Sequence, residues 1–401
     1  MTSEWHEVPL RELVGYISKG IAPSYAEEAS ETTIRVLNQK CNRNFRISYG
    51  DSRLHDTLKK KVPPERYVKP DDILINSTGA GTAGRIAQIE DVPSATTIDG
   101  HMILIRSNRK VTQKFLGYAL KAHQWEVLQL DEGSTGQTEL NRDRLLDEIM
   151  INYPVSFDEQ NAIVGTLESI DRKLIVNEQL NDNLEQQAQS YFQELFVDNA
   201  DPEWAIGTIS DLGTVVGGST PSKAKPEYYT ESGIAWITPK DLSINKSKFV
   251  SHGENDITEL GLKNSSAAIM PEGTVLFSSR APIGYIAIAA GEVTTNQGFK
   301  SVVPKPEIGT PFVYFFLKNT LPVIEGMASG STFKEVSGST MKNVPAVIPD
   351  AETLAKFSDF CAPIFAQQRI LEEQNQSLAT LRDNLLPKLM SGEIDVSAVQ
   401  L

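Results

Sequence analysis

Side chains able to hydrogen-bond base edges or phosphates recur at matched places in the two halves of this chain. Lys40 has a counterpart in Lys240, each at the end of a short apolar run. Asn76-Ser-Thr78 matches Ser278-Ser-Arg280, and Asp99-Gly-His101 matches Gln297-Gly-Phe-Lys300. Arg and Lys reach guanine O6 and N7, Asn and Gln pair with adenine N6 and N7, and Ser or Thr serve base or phosphate. The matched positions hold different residue types, as one scaffold reading two short sequences would require. The candidate contacts of the first half are Lys40, Arg43, Arg46, Asn76, Thr78, Arg85 and His101. Those of the second half are Lys223, Lys240, Ser278, Ser279, Arg280, Asn296, Gln297 and Lys300. Ordinary turn residues satisfying loop backbone are the competing reading of any single member.

Covalent chemistry has no comparable pattern. Gly79-Ala-Gly-Thr-Ala-Gly84 spells G-x-G-x-x-G, but a dinucleotide site needs a helix next to hold the pyrophosphate. Arg85-Ile-Ala-Gln-Ile89 alternates like a strand instead, so a glycine-rich hairpin loop is expected. The five histidines and two cysteines show no metal-ligand spacing. There is no Walker lysine motif, no G-x-S-x-G elbow and no Glu-x-Lys. The expectation is a binding protein with no catalytic residue, no metal site and no cofactor of its own.

The matched residues belong to a duplication. Trp5 returns as Trp204, Ile34-Arg-Val-Leu-Asn-Gln-Lys40 as Ile234-Ala-Trp-Ile-Thr-Pro-Lys240, and Thr96-Thr-Ile-Asp-Gly100 as Thr294-Thr-Asn-Gln-Gly298. Gly84-Arg-Ile-Ala87 matches Gly284-Tyr-Ile-Ala287, and Gly133-Ser-Thr135 matches Gly330-Ser-Thr332. The separation is close to half of the 401 residues, which means a duplicated domain and not a solenoid. Short apolar runs at Ile34–Leu37, Asp72–Asn76, Arg85–Ile89 and Met102–Arg106 read as strands, and a helix is expected from Gln113 to Leu128. Residues 311–318 read as the matching helix of the second half.

Two further segments differ in kind. Ser156-Phe-Asp-Glu159 reads as a capping box opening a long helix, with Leu167, Ile170, Leu174 and Leu184 on its apolar stripe. Asp350 can cap a second one carrying Ile364, Leu371, Leu378 and Leu385, which Gly392 would end. Pro363 could kink it. Such narrow stripes need a partner, and the simplest partner is the other helix. The division expected is a first domain over 1–153, a central helix over 154–199, a second domain over 200–347 and a distal helix over 348–401. Two similar α+β domains joined by two long antiparallel helices would form a pseudo-twofold, cyclic arrangement.

The net charge of −14 argues at first against nucleic acid, but the acid is unevenly placed. Residues 1–150 carry net −1 and 201–345 net −2, whereas 151–200 carry −7 and 346–401 carry −4. Between Arg35 and Lys69 ten basic residues face three acidic ones, a run that would also suit a merely solvated face. Cys41 and Cys361 lie far apart, no apolar stretch has spanning length, and the start is polar. A cytoplasmic protein is expected, with no membrane role.

Gly217-Gly-Ser-Thr-Pro-Ser222, Gly233-Ile-Ala-Trp-Ile-Thr-Pro-Lys-Asp241, Leu276-Phe-Ser-Ser-Arg-Ala-Pro-Ile-Gly284 and Thr294-Thr-Asn-Gln-Gly-Phe-Lys300 together resemble the target recognition domain of type I restriction–modification specificity subunits. Leu381-Arg-Asp-Asn-Leu-Leu-Pro-Lys-Leu-Met-Ser-Gly-Glu-Ile394 looks like the end of that family's distal helical region. The first half lacks Trp-Ile-Thr, Ser-Arg-Ala-Pro-Ile-Gly and Asn-Gln-Gly, so its target is less well marked. The resemblance implies a non-catalytic, prokaryotic subunit whose two domains each bind half of a split double-stranded DNA target. It implies helices that set the spacer and dock two modification subunits, which methylate adenine with S-adenosylmethionine. Restriction subunits using ATP and Mg would complete the assembly. A specificity subunit serving a fused methylase–nuclease of another class, or a scaffold that does not bind DNA, are the alternatives.

Overall fold

The computed structural model describes residues 4–79, 81–132, 139–330 and 334–396. The chain forms two compact units, Met1–Lys173 with Leu378–Leu401, and Leu174–Ser377. Each unit gathers one strand-rich domain and part of both long helices.

In the first unit, the strand Ile73–Asn76 is buried along its whole length because both of its faces are covered. Ile73 and Ile75 enter one core with Phe115, Leu116 and Leu120, while Leu74 enters another with Leu37, Ile98, Met102 and Leu104. Successive side chains of a strand point to opposite faces, so a continuous apolar run here serves two cores. The sheet has the order Val14–Lys19, Met102–Ser107, Ile73–Asn76, Ile86–Gln88, all antiparallel. A second sheet lines up Thr96–Ile98, Thr33–Leu37, Arg53–Asp56 and Tyr25–Ala26, its first pair parallel. The expected single helix is two, Gln113–Ala122 and Gln124–Val127.

The second unit repeats this plan. Gly213–Gly217, Lys300–Pro304, Val275–Ser279 and Ile283–Ala289 follow in the same order, with Phe249–Val250 added at the edge. Val275 and Phe277 face one core and Leu276 the other. Tyr229–Thr230, Asn255–Ile257, Ile234–Ile237 and Thr294–Thr295 form the second sheet. The matching helix runs Thr310–Gly326, longer than the sequence reading.

The central helix spans Phe157–Gln193 and the distal helix Ala351–Met390, continuous through Pro363. Each is opened by the tryptophan of the duplicated pair. Trp5 Nε1 donates to Glu159 (3.2 Å), whose own N–H donates to Ser156 Oγ. Trp204 Nε1 donates to Asp350 (2.9 Å), which also caps Thr353 N–H. At the distal end Gly392 has φ +76, and a Cβ there would lie 3.0 Å from the Trp5 ring.

Within the second unit the helices run antiparallel: Asn177 meets Asn375, and Asn181 meets Gln368. Ala188 and Phe192 share a core with Leu354, Phe357, Cys361 and Ile364. In the first unit Leu167, with Ile163 and Val164, shares a core with Leu386 and Leu389. Of the expected stripe, Leu167, Ile170, Leu174, Ile364 and Leu371 are buried. Leu184, Leu378 and Leu385 are half-buried, because the helices also pack on their own domains and the buried side of the distal helix shifts to Leu386 and Leu389. The repeat Gly133-Ser-Thr135 lies outside the described residues, as do Ser331 and Thr332 of its counterpart.

Candidate nucleic-acid interface

The second domain has a surface cleft of about 480 Å³ lined by Lys223, Lys240, Arg280, Asn296 and Gln297, five of the residues expected from sequence. Thr220, Thr238, Asn255 and Trp236 complete its walls. The local sequence explains each placement. Thr238 ends the strand Ile234–Ile237 and caps the helix Pro239–Ile244 by accepting from Asp241 N–H, so Lys240 projects from a first helical turn begun by proline. Asn296 accepts from Gly298 N–H (2.8 Å), a local turn that leaves Gln297 exposed, where it accepts from Thr220 Oγ1.

Carboxylates hold the cations in place. Lys240 Nζ lies 2.6 Å from Glu254, which raises its pKa above the ordinary lysine value. Glu335 is shared between Arg280 (3.5 Å) and Lys300 (3.7 Å). The Lys240–Glu254 pair is exposed on both sides and contributes little stability, so an incoming anion can replace that carboxylate at small cost.

Two expected contacts are corrected here. Ser278 and Ser279 are fully buried. Ser278 Oγ donates to Pro282 O (2.8 Å) and accepts from Tyr285 N–H (2.7 Å), closing the turn that carries Arg280. Ser279 Oγ donates to Gly298 O. Both are scaffold beneath the cleft and do not line it.

In the first domain the corresponding correction is Asn76, also fully buried. Its Nδ2 donates to Gln39 O (3.2 Å) and its Oδ1 accepts from Asn42 Nδ2 (3.2 Å), while the same Asn42 amide donates to Arg85 O (2.8 Å). This buried amide pair ties together three segments that carry the other candidates. Lys40 is exposed in the turn after the strand Thr33–Leu37. Arg43 and Arg46 flank a tight hairpin whose central residues, Asn44 and Phe45, have φ +52 and +62, the two-residue geometry suited to a twisted ribbon. Phe45 anchors that hairpin in the core and bridges to Ala87. Arg85 Nη2 reaches Gly81 O (3.1 Å) across the glycine-rich segment. Thr78 Oγ1 lies 2.8 Å from His101 Nδ1 on the neighbouring strand end. A strand, Ile86–Gln88, and not a helix follows Gly84, so the segment is a hairpin loop. At Gly84 (φ +83) a Cβ would lie 2.9 Å from Val127 O.

Sequence reading missed Asn42, Gln39, Thr220, Asn255 and the carboxylates Glu254 and Glu335. Gln39 and Thr238 sit inside the matched runs that end at Lys40 and Lys240, Thr220 sits inside Gly217-Gly-Ser-Thr-Pro-Ser222, and all three could have been found there; the others have no local signature. Among the described residues, no group of three or more His, Cys, Asp or Glu is placed to hold a metal, and no helix is long and apolar enough to cross a membrane.

Comparison with known proteins decides the family. The type I restriction modification DNA specificity domain matches twice, over residues 2–186 and 202–381. The chain belongs to that family. Among specificity subunits of type I restriction enzymes, that of MjaIX from Methanocaldococcus jannaschii is 39% identical over 194 residues, 46% of this chain and 45% of that protein. The HindI subunit from Haemophilus influenzae is 27% identical over 48% of this chain and 42% of its own length. These alignments therefore span less than half of either relative. A putative MjaX subunit from M. jannaschii aligns over 98% of this chain and 94% of its own length at 19% identity. The crystal structure of a type I S subunit from M. genitalium covers 97% of this chain and 96% of that one, with a TM-score of 0.59 at 17% identity, a likeness of fold. The family's specificity domain thus occurs twice in this chain, as the duplication implies.

Proposed function

We propose that this chain is the non-catalytic targeting subunit of a type I restriction–modification complex, each recognition domain reading one half of a split duplex target. The observation that carries this reading is the cleft of the second domain, where Lys223, Lys240, Arg280, Asn296 and Gln297 converge from separate loops. Such a set offers donors for guanine and phosphate and paired donor–acceptor amides for adenine. Lys40, Arg43, Arg46, Arg85, Thr78 and His101 play the corresponding part in the first domain. The long helices set the spacer and dock two modification subunits that methylate adenine with S-adenosylmethionine; restriction subunits driven by ATP and Mg join the same assembly. The acidic surfaces of the helices suit protein docking and keep phosphate contact to the domains.

The test is long-read methylation mapping of DNA from cells expressing this chain with its partner methylase. A methylated split motif, altered in one half only by Arg280→Ala, is the expected result. A stable complex that leaves DNA unmethylated and fails to bind duplex would overturn the reading in favour of an assembly scaffold.

A further inference from the structure

The four tryptophans divide sharply. Trp5, Trp204 and Trp236 each donate the indole N–H, to Glu159, Asp350 and Ser219 O. Trp125 is 75% exposed, and among the described residues its indole N–H meets no acceptor. An exposed indole offers a large amphipathic surface, the kind of side chain enriched at interfaces.

Its placement is rigid. Trp125 lies on the short helix Gln124–Val127, and its neighbour Gln124 grips the peptides on both sides of Arg85. Gln124 Nε2 donates to Gly84 O (2.7 Å) and its Oε1 accepts from Ile86 N–H (2.9 Å). Val127, on the other side, is fully buried and its carbonyl fills the space a Cβ at Gly84 would need. The short helix that carries Trp125 is therefore held beside the glycine-rich hairpin whose Arg85 is a candidate DNA contact. Beside it His123 Nδ1 and Glu126 are hydrogen-bonded at 2.9 Å.

We propose that Trp125 is a duplex-DNA contact of the first domain, its ring packing on the sugar–base surface next to the phosphate that Arg85 engages. This rests on the DNA-binding reading above. In an intact duplex the base faces are already stacked on one another, so the ring would pack on sugar and base edges, adding affinity and fixing orientation at the edge of the first half-site.

The test measures duplex binding by the full chain in its complex with the modification subunits, using the motif found by methylation mapping. Wild type, Trp125→Ala and Trp125→Phe are compared by affinity, by salt dependence and by intrinsic tryptophan fluorescence. Trp125→Ala is expected to weaken binding up to about tenfold with an unchanged salt slope and unchanged thermal stability; Trp125→Phe should retain most of the affinity. Quenching seen on duplex addition to the wild type should be lost in both variants. Equal affinity in Trp125→Ala with quenching retained would overturn the contact while leaving the targeting function standing. Absence of duplex binding by the wild type would overturn both.

Discussion

Side chains of the same hydrogen-bonding type have opposite duties here, and burial separates them. Asn76, Ser278 and Ser279 are sealed beneath the surfaces they were expected to form, whereas Lys40, Lys240 and Gln297 are exposed. Losing a buried amide leaves its partners unsatisfied, so Asn76→Ala should destabilise the protein by about 1–3 kcal/mol, read as a fall in denaturation midpoint. Arg280→Ala should behave in the reverse way. Stability should stay within about 0.5 kcal/mol, while duplex affinity falls by about 1–3 kcal/mol with relaxed preference at one base pair. Titration against single-base variants of the target distinguishes base reading from phosphate binding, which would weaken all duplexes alike.

The elements are joined by buried ion clusters with no signature in the sequence. In the first unit Asp171 on the central helix accepts from Tyr118 (2.9 Å), Lys121 (3.0 Å) and Arg382 of the distal helix (3.1 Å). In the second unit Glu185 meets Tyr314 (3.2 Å), Lys248 and Lys318 (both 2.5 Å). The two Tyr–Lys pairs are alike in kind but differ in spacing, three residues in the first domain and four in the second, and both acids lie on the central helix. Burial works to raise the pKa of Asp171 and of Glu185, yet the surrounding cations and hydrogen bonds outweigh it and hold both below the usual carboxylate range. A carboxylate depressed in the folded state contributes stability above its unfolded value and loses it as pH falls through the folded one. Melting temperature should therefore drop between about pH 5 and about pH 2, more steeply in wild type than in Glu185→Gln. At neutral pH Glu185→Gln should cost about 3 kcal/mol, because it leaves Lys248 buried without its counter-charge. Lys248 also donates to Gln368, and Glu372 caps the backbone of Lys248 and Phe249. The second recognition domain is thus pinned to both long helices within its own unit.

At the scale of the molecule the excess acid lies in the helical segments, which hold most of the net charge of −14, while the two domains are near neutral. If six or more phosphates are engaged, duplex affinity should fall about a thousandfold between about 50 and about 200 mM salt; a flat dependence would exclude a phosphate-based interface. The duplication, the mixture of strands and helices, both long helices and the family were readable from the order of residues alone. Periodicity, capping chemistry and spaced motifs are local properties, legible without contacts. Lys240, Arg280 and Gln297 were legible as well, because they extend from repeated strand ends. Which polar residues are scaffold emerges only from packing. Asn42 and Asn76 are 34 positions apart and become an amide pair only when the hairpin at Phe45 docks against the strand at Ala87. The carboxylates that hold the reading cations, and the buried acids that fasten domain to helix, belong to the same class. Their roles depend on partners brought close by the fold, and distance in space is not encoded in the type of any one residue.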